Sequence, residues 1–168
     1  MFSRRYALYA GAAGLALAAL RLTRPHAATA APHPYEVTHT DEEWHKLLTP
    51  AQYSVLREAG TELPFTSPLL EEHRNGTFSC AGCDLPLFSS KTKFDSGTGW
   101  PSFWAPLPQA VDEIRDDSFG MIRTAVSCRR CGGHLGHVFT DGPKPTGLRY
   151  CMNGVALKFT PMPAGSSS

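Results

Sequence analysis

The sequence has no acidic residue before Glu36, no apolar run longer than the 15 residues Tyr6–Leu20, and no cysteine beyond five. The apolar run falls short of the roughly 20 residues of a bilayer-spanning helix. No phosphate-cradling glycine loop and no catalytic acid pair stands out, so phosphoryl transfer and paired-carboxylate hydrolysis have no residue to carry them. A strong positive charge is missing too. Without the four arginines of residues 1–30, 12 basic residues face 15 acidic ones, a net charge of about −3. Such a domain has no electrostatic reason to bind nucleic acid. An odd count of five cysteines excludes a fully paired disulfide framework. Turn formers, by contrast, are plentiful. The 14 prolines and 15 glycines favour turns and short strands over long helices, and 168 residues suffice for one domain with its own core.

Residues 1–30 have the layout of an export signal: Arg4 and Arg5, then Tyr6–Leu20, then the small-x-small Ala28-Thr29-Ala30. Ser3-Arg4-Arg5 resembles a twin-arginine signal, with Ala7 where such signals often carry Phe. The alternative is an uncleaved anchor over residues 6–20, because Arg21 and Arg24 directly follow the apolar run. Either reading puts the remaining domain outside the cytoplasm, in a bacterial periplasm, in contact with membrane only if the segment stays attached. Residues 31–39 read as a linker, 40–162 as the folded domain, and 163–168 as a disordered tail.

Thr40-Asp-Glu-Glu43 is a capping box that predicts a short helix through Trp44 to Leu48. Thr49-Pro-Ala-Gln52 starts a second, ending near Ala59 with Gly60 as its stop. After Pro64 the texture changes. Thr77–Ser79, Met121–Val126, His137–Phe139 and Val155–Phe159 are strand-like, and turn clusters at Ser96–Gly99, Asp141–Pro143 and Pro145–Gly147 separate them. The expected fold is mainly β: a small antiparallel domain of short strands with two short N-terminal helices packed on it.

Four cysteines form two CxxC knuckles, Cys80/Cys83 and Cys128/Cys131, separated by 44 residues. Two intervening residues let both sulfurs turn inward, and two knuckles supply the four thiolates that tetrahedral Zn²⁺ prefers. Gly82, Gly132 and Gly133 would ease those turns. One structural zinc per chain, clipping distant parts of the sheet together, is the expectation. Two disulfides or a redox CxxC are the alternatives.

Cys151 is then left over. A lone thiol is usually buried and inert. Here Arg149 lies two residues before it and Asn153 two after, with His134 and His137 upstream. A cation stabilises thiolate, an imidazole can move a proton near neutral pH, and an amide can donate to sulfur or substrate. The histidines could equally be core residues or metal ligands, and the thiol is a nucleophile with no substrate yet implied.

Cys80-Ala-Gly-Cys83 with Pro86-Leu-Phe88, Gly99-Trp-Pro-Ser-Phe103, His134-Leu-Gly-His-Val-Phe139, Asp141-Gly-Pro143, Pro145-Thr-Gly147 and Arg149-Tyr-Cys151 with Asn153 occur in order. Together they resemble the methionine sulfoxide reductase B family, which reduces the R epimer of methionine sulfoxide, over roughly Trp44 to Pro161. The resemblance implies a catalytic cysteine at Cys151, with His137 as first choice for the acid and His134 supporting it. It also implies Asn153 in the active site, and zinc ligands at Cys80, Cys83, Cys128 and Cys131. Trp100 would offer an aromatic wall to the substrate's S-methyl group, with Arg149 and Phe139 completing the substrate site.

The resemblance also implies that the reaction leaves Cys151 as a sulfenic acid, which many members of that family resolve with a second cysteine just before the GWPSF motif. Here Thr98 stands there, and no sixth cysteine exists. A single-cysteine cycle is therefore expected, with oxidised proteins or peptides as substrate, an external thioredoxin-like or glutathione-like thiol as reductant, and a monomeric enzyme. The competing readings are a non-catalytic zinc-clipped β module that binds a protein partner, and a thiol-based peroxide sensor.

Overall fold

The computed structural model describes residues 33–120 and 122–163. The expected export signal or anchor and residues 164–168 of the expected tail lie outside the described residues. No helix of the described residues is long and apolar enough to cross a membrane.

Two capping boxes start the domain. Thr40 Oγ1 accepts from Glu43 N at 3.3 Å while the Glu43 carboxylate accepts from Thr40 N at 2.8 Å, and helix α1 runs Asp41–Leu47. Thr49 and Gln52 repeat the arrangement, with Pro50 opening helix α2, Pro50–Glu58. Each box satisfies amide groups that a helix start leaves orphaned. The left-handed residue that ends α2 is Ala59, with φ 55°, rather than the expected Gly60. Glycine is needed at 60 for space, since a Cβ there would stand 2.9 Å from the Ser54 carbonyl oxygen.

The rest is β. Strands β1 (Gly76–Cys80), β2 (Pro86–Ser89) and β9 (Leu157–Pro161) form a three-stranded sheet in the order β2-β1-β9. Strands β3 (Lys93–Phe94), β4 (Ser102–Phe103), β5 (Val111–Asp116), β6 (Arg123–Cys128), β7 (His134–Phe139) and β8 (Arg149–Met152) form a six-stranded sheet. Its order is β3-β4-β8-β7-β6-β5, and every pairing is antiparallel. The run expected over 155–159 begins instead as a 3-10 turn, Gly154–Ala156, before β9. The expected turn clusters at 96–99, 141–143 and 145–147 all fall outside strands.

Three fully buried phenylalanines join the two sheets. Phe88 of β2 stacks on Phe103 of β4 at 4.4 Å, and Phe78 of β1 meets Phe103 edge-on at 4.9 Å. Offset and edge-to-face contacts at these distances add to the area that the rings bury. The helices pack on β7 and on the turn before β9, and their Trp44, Val55 and Leu56 are buried. Residues 33–39, read from sequence as linker, lie against the domain. Val37 N donates to Arg130 O at 3.1 Å, His33 Nε2 pairs with Asp112 Oδ2 at 3.0 Å, and the Tyr35 ring packs on Gly132. Tyr35 and Val37 give this stretch apolar surface to bury, so it docks where a polar linker would not.

Candidate active site and candidate metal centre

The two CxxC knuckles meet. The four sulfurs of Cys80, Cys83, Cys128 and Cys131 all lie within 4.8 Å of one another. Cys80 Sγ is 3.7 Å from Cys131 Sγ, and Cys83 Sγ is 3.5 Å from Cys128 Sγ. Those lengths exclude disulfide bonds, which are about 2.0 Å, and match the edge of about 3.8 Å that a tetrahedron of sulfurs has around zinc. The site therefore fits a metal ion held by four thiolates. Hydrogen bonds among the four sulfurs hold Cys83 and Cys131 below the ordinary thiol range and push Cys80 and Cys128 above it.

Each knuckle ends on a left-handed residue, Gly132 with φ 70° and Asp84 with φ 58°. Of the three glycines expected to ease the turns, only Gly132 supplies such an angle. Gly82 instead turns its amide to Cys80 Sγ at 3.4 Å. At Gly133 a Cβ would stand 2.9 Å from Leu56. The first knuckle follows β1 and the second follows β6, so the metal would tie two separate sheets rather than parts of one. The helices seal it: Arg57 lies over the Trp44 ring at 4.8 Å and donates to Cys131 O at 3.0 Å.

Cys151 stands apart from this cluster, half-buried on β8. Its neighbours across the sheet are Ser102 on β4 and His137 on β7. Directly opposed residues of antiparallel strands present their side chains to the same face. A pocket of about 140 Å³ opens there, lined by Cys151, His137, Phe139, Trp100, Asn153 and Arg123 among others. The strands can close up this far because residue 136 is glycine. A Cβ at Gly136 would overlap the Cys151 carbonyl oxygen and stand 3.0 Å from Met152 Cα.

His137 Nε2 is 2.8 Å from Asp116 Oδ2, which also accepts from Arg123 at 2.8 Å. Hydrogen bonds from Ser118 and His137 hold the Asp116 carboxyl far below its usual range against the opposing effect of burial. His134 meets the His137 ring edge-on at 5.3 Å. Its burial, and then the proximity of His137, hold its pKa down to about 4, so it is neutral at pH 7, and its Nε2 has no hydrogen-bond partner among the described residues.

Arg149 makes two bonds to Asp141, at 2.9 and 2.8 Å, and lies over the Phe139 ring at 4.4 Å. Asp141 first, and Cys151 among the lesser causes, raise the Arg149 pKa, which places the guanidinium within electrostatic reach of the thiol. Trp100 donates its indole N–H to Glu62 O at 3.2 Å, leaving the ring as pocket wall. Asn153 lines the pocket, but its amide serves the backbone. Nδ2 donates to Leu135 O at 3.0 Å and Oδ1 accepts from Glu62 N at 2.9 Å, where the sequence suggested donation to sulfur or substrate. Thr98 Oγ1 is 3.8 Å from Cys151 Sγ.

Of the expected residues, the four CxxC cysteines meet in one place and Cys151, His137, Phe139, Trp100 and Asn153 line the pocket, while His134 and Arg149 lie beside it against His137 and Phe139. Asp116, Arg123, Glu62 and Gly136 were missed. Gly136 sits inside the strand-like HLGH motif, and a glycine within a strand is a readable signal of close backbone approach. Asp116 reaches His137 only through the β5-β6-β7 register, which no local pattern encodes.

The family model that matches this two-sheet β domain, with its four-cysteine cluster and its pocket thiol, is the SelR domain, over residues 48–161. The chain belongs to this family. Its relatives include proteins named peptide methionine sulfoxide reductase MsrB. That of Pseudomonas putida is 59% identical over 127 residues, spanning 75% of this chain and 96% of the relative. Those of Leptospira interrogans and Agrobacterium fabrum are each 56% identical, over 74% and 76% of this chain and 96% and 95% of theirs.

Proposed function

We propose that this protein reduces the R epimer of methionine sulfoxide in peptides and proteins to methionine, with Cys151 as the nucleophile. One observation carries the reading: four thiols occupy one another within 4.8 Å, while the fifth faces a pocket with an imidazole and an indole. The Cys151 thiolate attacks the sulfoxide sulfur, with Arg149 offsetting its charge. His137, oriented by Asp116, donates a proton to the departing oxygen, and neutral His134 packs against it as support. The ring of Trp100 receives the S-methyl group, and Asn153 holds the floor of the pocket. Oxygen passes from substrate to Cys151: the sulfoxide gains two electrons and leaves as thioether, and the cysteine becomes a sulfenic acid.

Thr98 stands where an internal resolving thiol would be needed. An external thiol, thioredoxin-like or glutathione-like, then attacks the sulfenic acid, releasing water and forming a mixed disulfide. A second thiol breaks that bond and restores Cys151. The four-cysteine cluster holds one structural zinc, whose contribution is to cross-link the fold. The enzyme acts as a monomer outside the cytoplasm, exported by residues 1–30. N-terminal sequencing of the exported protein checks that part, and an intact Met1 in the membrane fraction would identify an anchor.

The deciding assay compares R- and S-methionine sulfoxide with dithiothreitol as reductant. Wild type consumes the R epimer alone, and Cys151→Ser consumes neither. Equal consumption of both epimers, or undiminished activity of Cys151→Ser, would overturn the assignment.

A further inference from the structure

Beside the pocket, the short segment 61–65 holds two large apolar side chains in water. Leu63 is 73% exposed and Phe65 is 70% exposed. Phe65 does this on left-handed backbone, with φ 63°, a region that a bulky L-residue rarely occupies and that clusters at functional sites. The ring is not loose. Phe65 N donates to Gly99 O at 2.8 Å, and a Cβ on Gly99 would stand 2.9 Å from the phenyl carbons. Gly99 directly precedes Trp100, so the exposed phenyl is fixed to the loop that carries the pocket's indole.

Thr61 lines both the Cys151 pocket and a second, larger groove of about 830 Å³, so the two adjoin across that residue. Val55, Leu63, Leu69 and Leu157 give that groove an apolar wall. The ridge between them is held still by Glu62. Its carboxylate accepts from Gly154 N at 2.5 Å and Val155 N at 3.0 Å, its amide donates to Asn153, and its carbonyl accepts from Trp100. The smaller pocket suits one side chain. A polypeptide that inserts an oxidised methionine there must lay its flanking residues on the surface just outside.

We propose that Leu63, Phe65 and the groove beyond Thr61 form a specificity subsite for apolar side chains that flank the oxidised methionine of a polypeptide substrate. The inference rests on the reductase reading and names which segments that activity favours. An extended chain turns alternate side chains to one face, about 3.3 Å of rise per residue. A residue near the sulfoxide therefore reaches the ridge and groove while the sulfoxide stays at Cys151. Burial of an apolar flank against already exposed Leu63 and Phe65 removes both surfaces from water.

The test uses three substrates: N-acetylmethionine R-sulfoxide, a peptide with the R-sulfoxide flanked by leucine and phenylalanine, and the same peptide flanked by serine. Wild type should favour the apolar-flanked peptide over the serine-flanked one by about tenfold in kcat/KM, chiefly through KM. The double variant Leu63→Ser/Phe65→Asn should lose that preference, with asparagine chosen because it tolerates left-handed backbone. Its kcat on N-acetylmethionine R-sulfoxide should stay within about twofold of wild type, since neither side chain lines the pocket. Leu63→Ser alone, at an exposed position, should remove about a threefold share of the preference without disturbing the fold. Turnover without a flank preference in wild type, or a preference that survives the double substitution, overturns the inference alone. No turnover of any of the three substrates overturns the reductase reading, and the inference with it.

Discussion

Cys128 ends β6 and Cys151 lies on β8, two strands away in the same sheet, yet the two sulfurs have opposite surroundings. Cys128 is fully buried and has other thiols as its nearest polar company, under a lid of two helices. Cys151 is half-buried, lies outside the four-cysteine cluster, and shares its pocket with an imidazole, an indole and a guanidinium. Identical side chains thus diverge through access and partners. A closed set of four thiolates satisfies a metal and leaves nothing to react, whereas an open thiol with proton-moving neighbours can exchange an atom with a ligand.

The largest expected effect removes the open member. Cys151→Ser should bring R-sulfoxide turnover down to the uncatalysed background while leaving the melting temperature nearly unchanged. Steady-state kinetics and calorimetry on the same sample check both halves. Second is the closed member. Chelation, or Cys128→Ser, should unfold the domain, because metal affinity in such sites is folding free energy. It is worth about 10–16 kcal/mol for structural zinc, against a typical domain stability of about 5–15 kcal/mol. Circular dichroism during titration with a chelator should show loss of β signal together with metal release. Retention of the full fold without metal would contradict the proposed cross-link.

Third, Gly136→Ala attacks the close approach of β7 to β8 at the candidate nucleophile. The added methyl overlaps the Cys151 carbonyl oxygen, so one strand must move. Displacement of a reacting group by about 1 Å can reduce turnover about a hundredfold. kcat should fall by that order, with a smaller loss of stability.

Legibility in the sequence differed between the two regions. The cysteine cluster was readable from spacing, because CxxC fixes its own local geometry. The two helices were readable from their capping boxes, which are likewise local. Cys151 was readable as the unpaired thiol. Asp116 and Glu62 were not, since each meets its partner through register or a loop that closes over long sequence separations: 21 residues to His137, and 91 and 92 residues to Asn153 and Gly154. The two-residue strands β3 and β4 are too short to show a period, so the six-stranded sheet could not be counted in advance.

Fourth comes a pH effect from His134. Burial and the neighbouring His137 hold its pKa down to about 4 in the fold, against 6.5 ordinarily. Below pH 6.5 the unfolded chain binds a proton here that the folded chain refuses. The stabilising contribution is therefore complete above about pH 6.5 and drains away as pH falls toward about 4, to a limit of about 3 kcal/mol. Urea midpoints across that window should decline in wild type and decline less in His134→Phe.

The smallest effect on turnover, and the sharpest test of why Cys151 stands alone, comes from Thr98→Cys. Thr98 Oγ1 lies 3.8 Å from Cys151 Sγ, and its flanks, Gly97 with φ 68° and Gly99 with φ 91°, have the backbone angles of a tight turn. A sulfur at Oγ1 must approach to about 2.0 Å to bond, a shift of under 2 Å for the tip of one loop. After one equivalent of R-sulfoxide without external thiol, the variant should lose two hydrogens by mass through a bridge between the new thiol and Cys151. Wild type should instead gain one oxygen on Cys151. kcat with dithiothreitol should change by only a few-fold, because the attack on substrate is untouched and only the route back to thiol differs. If wild type already forms an intramolecular disulfide to Cys151 with its metal still bound, a cluster cysteine must be mobile enough to resolve the sulfenic acid. The closed and open thiols would then be two parts of one redox relay.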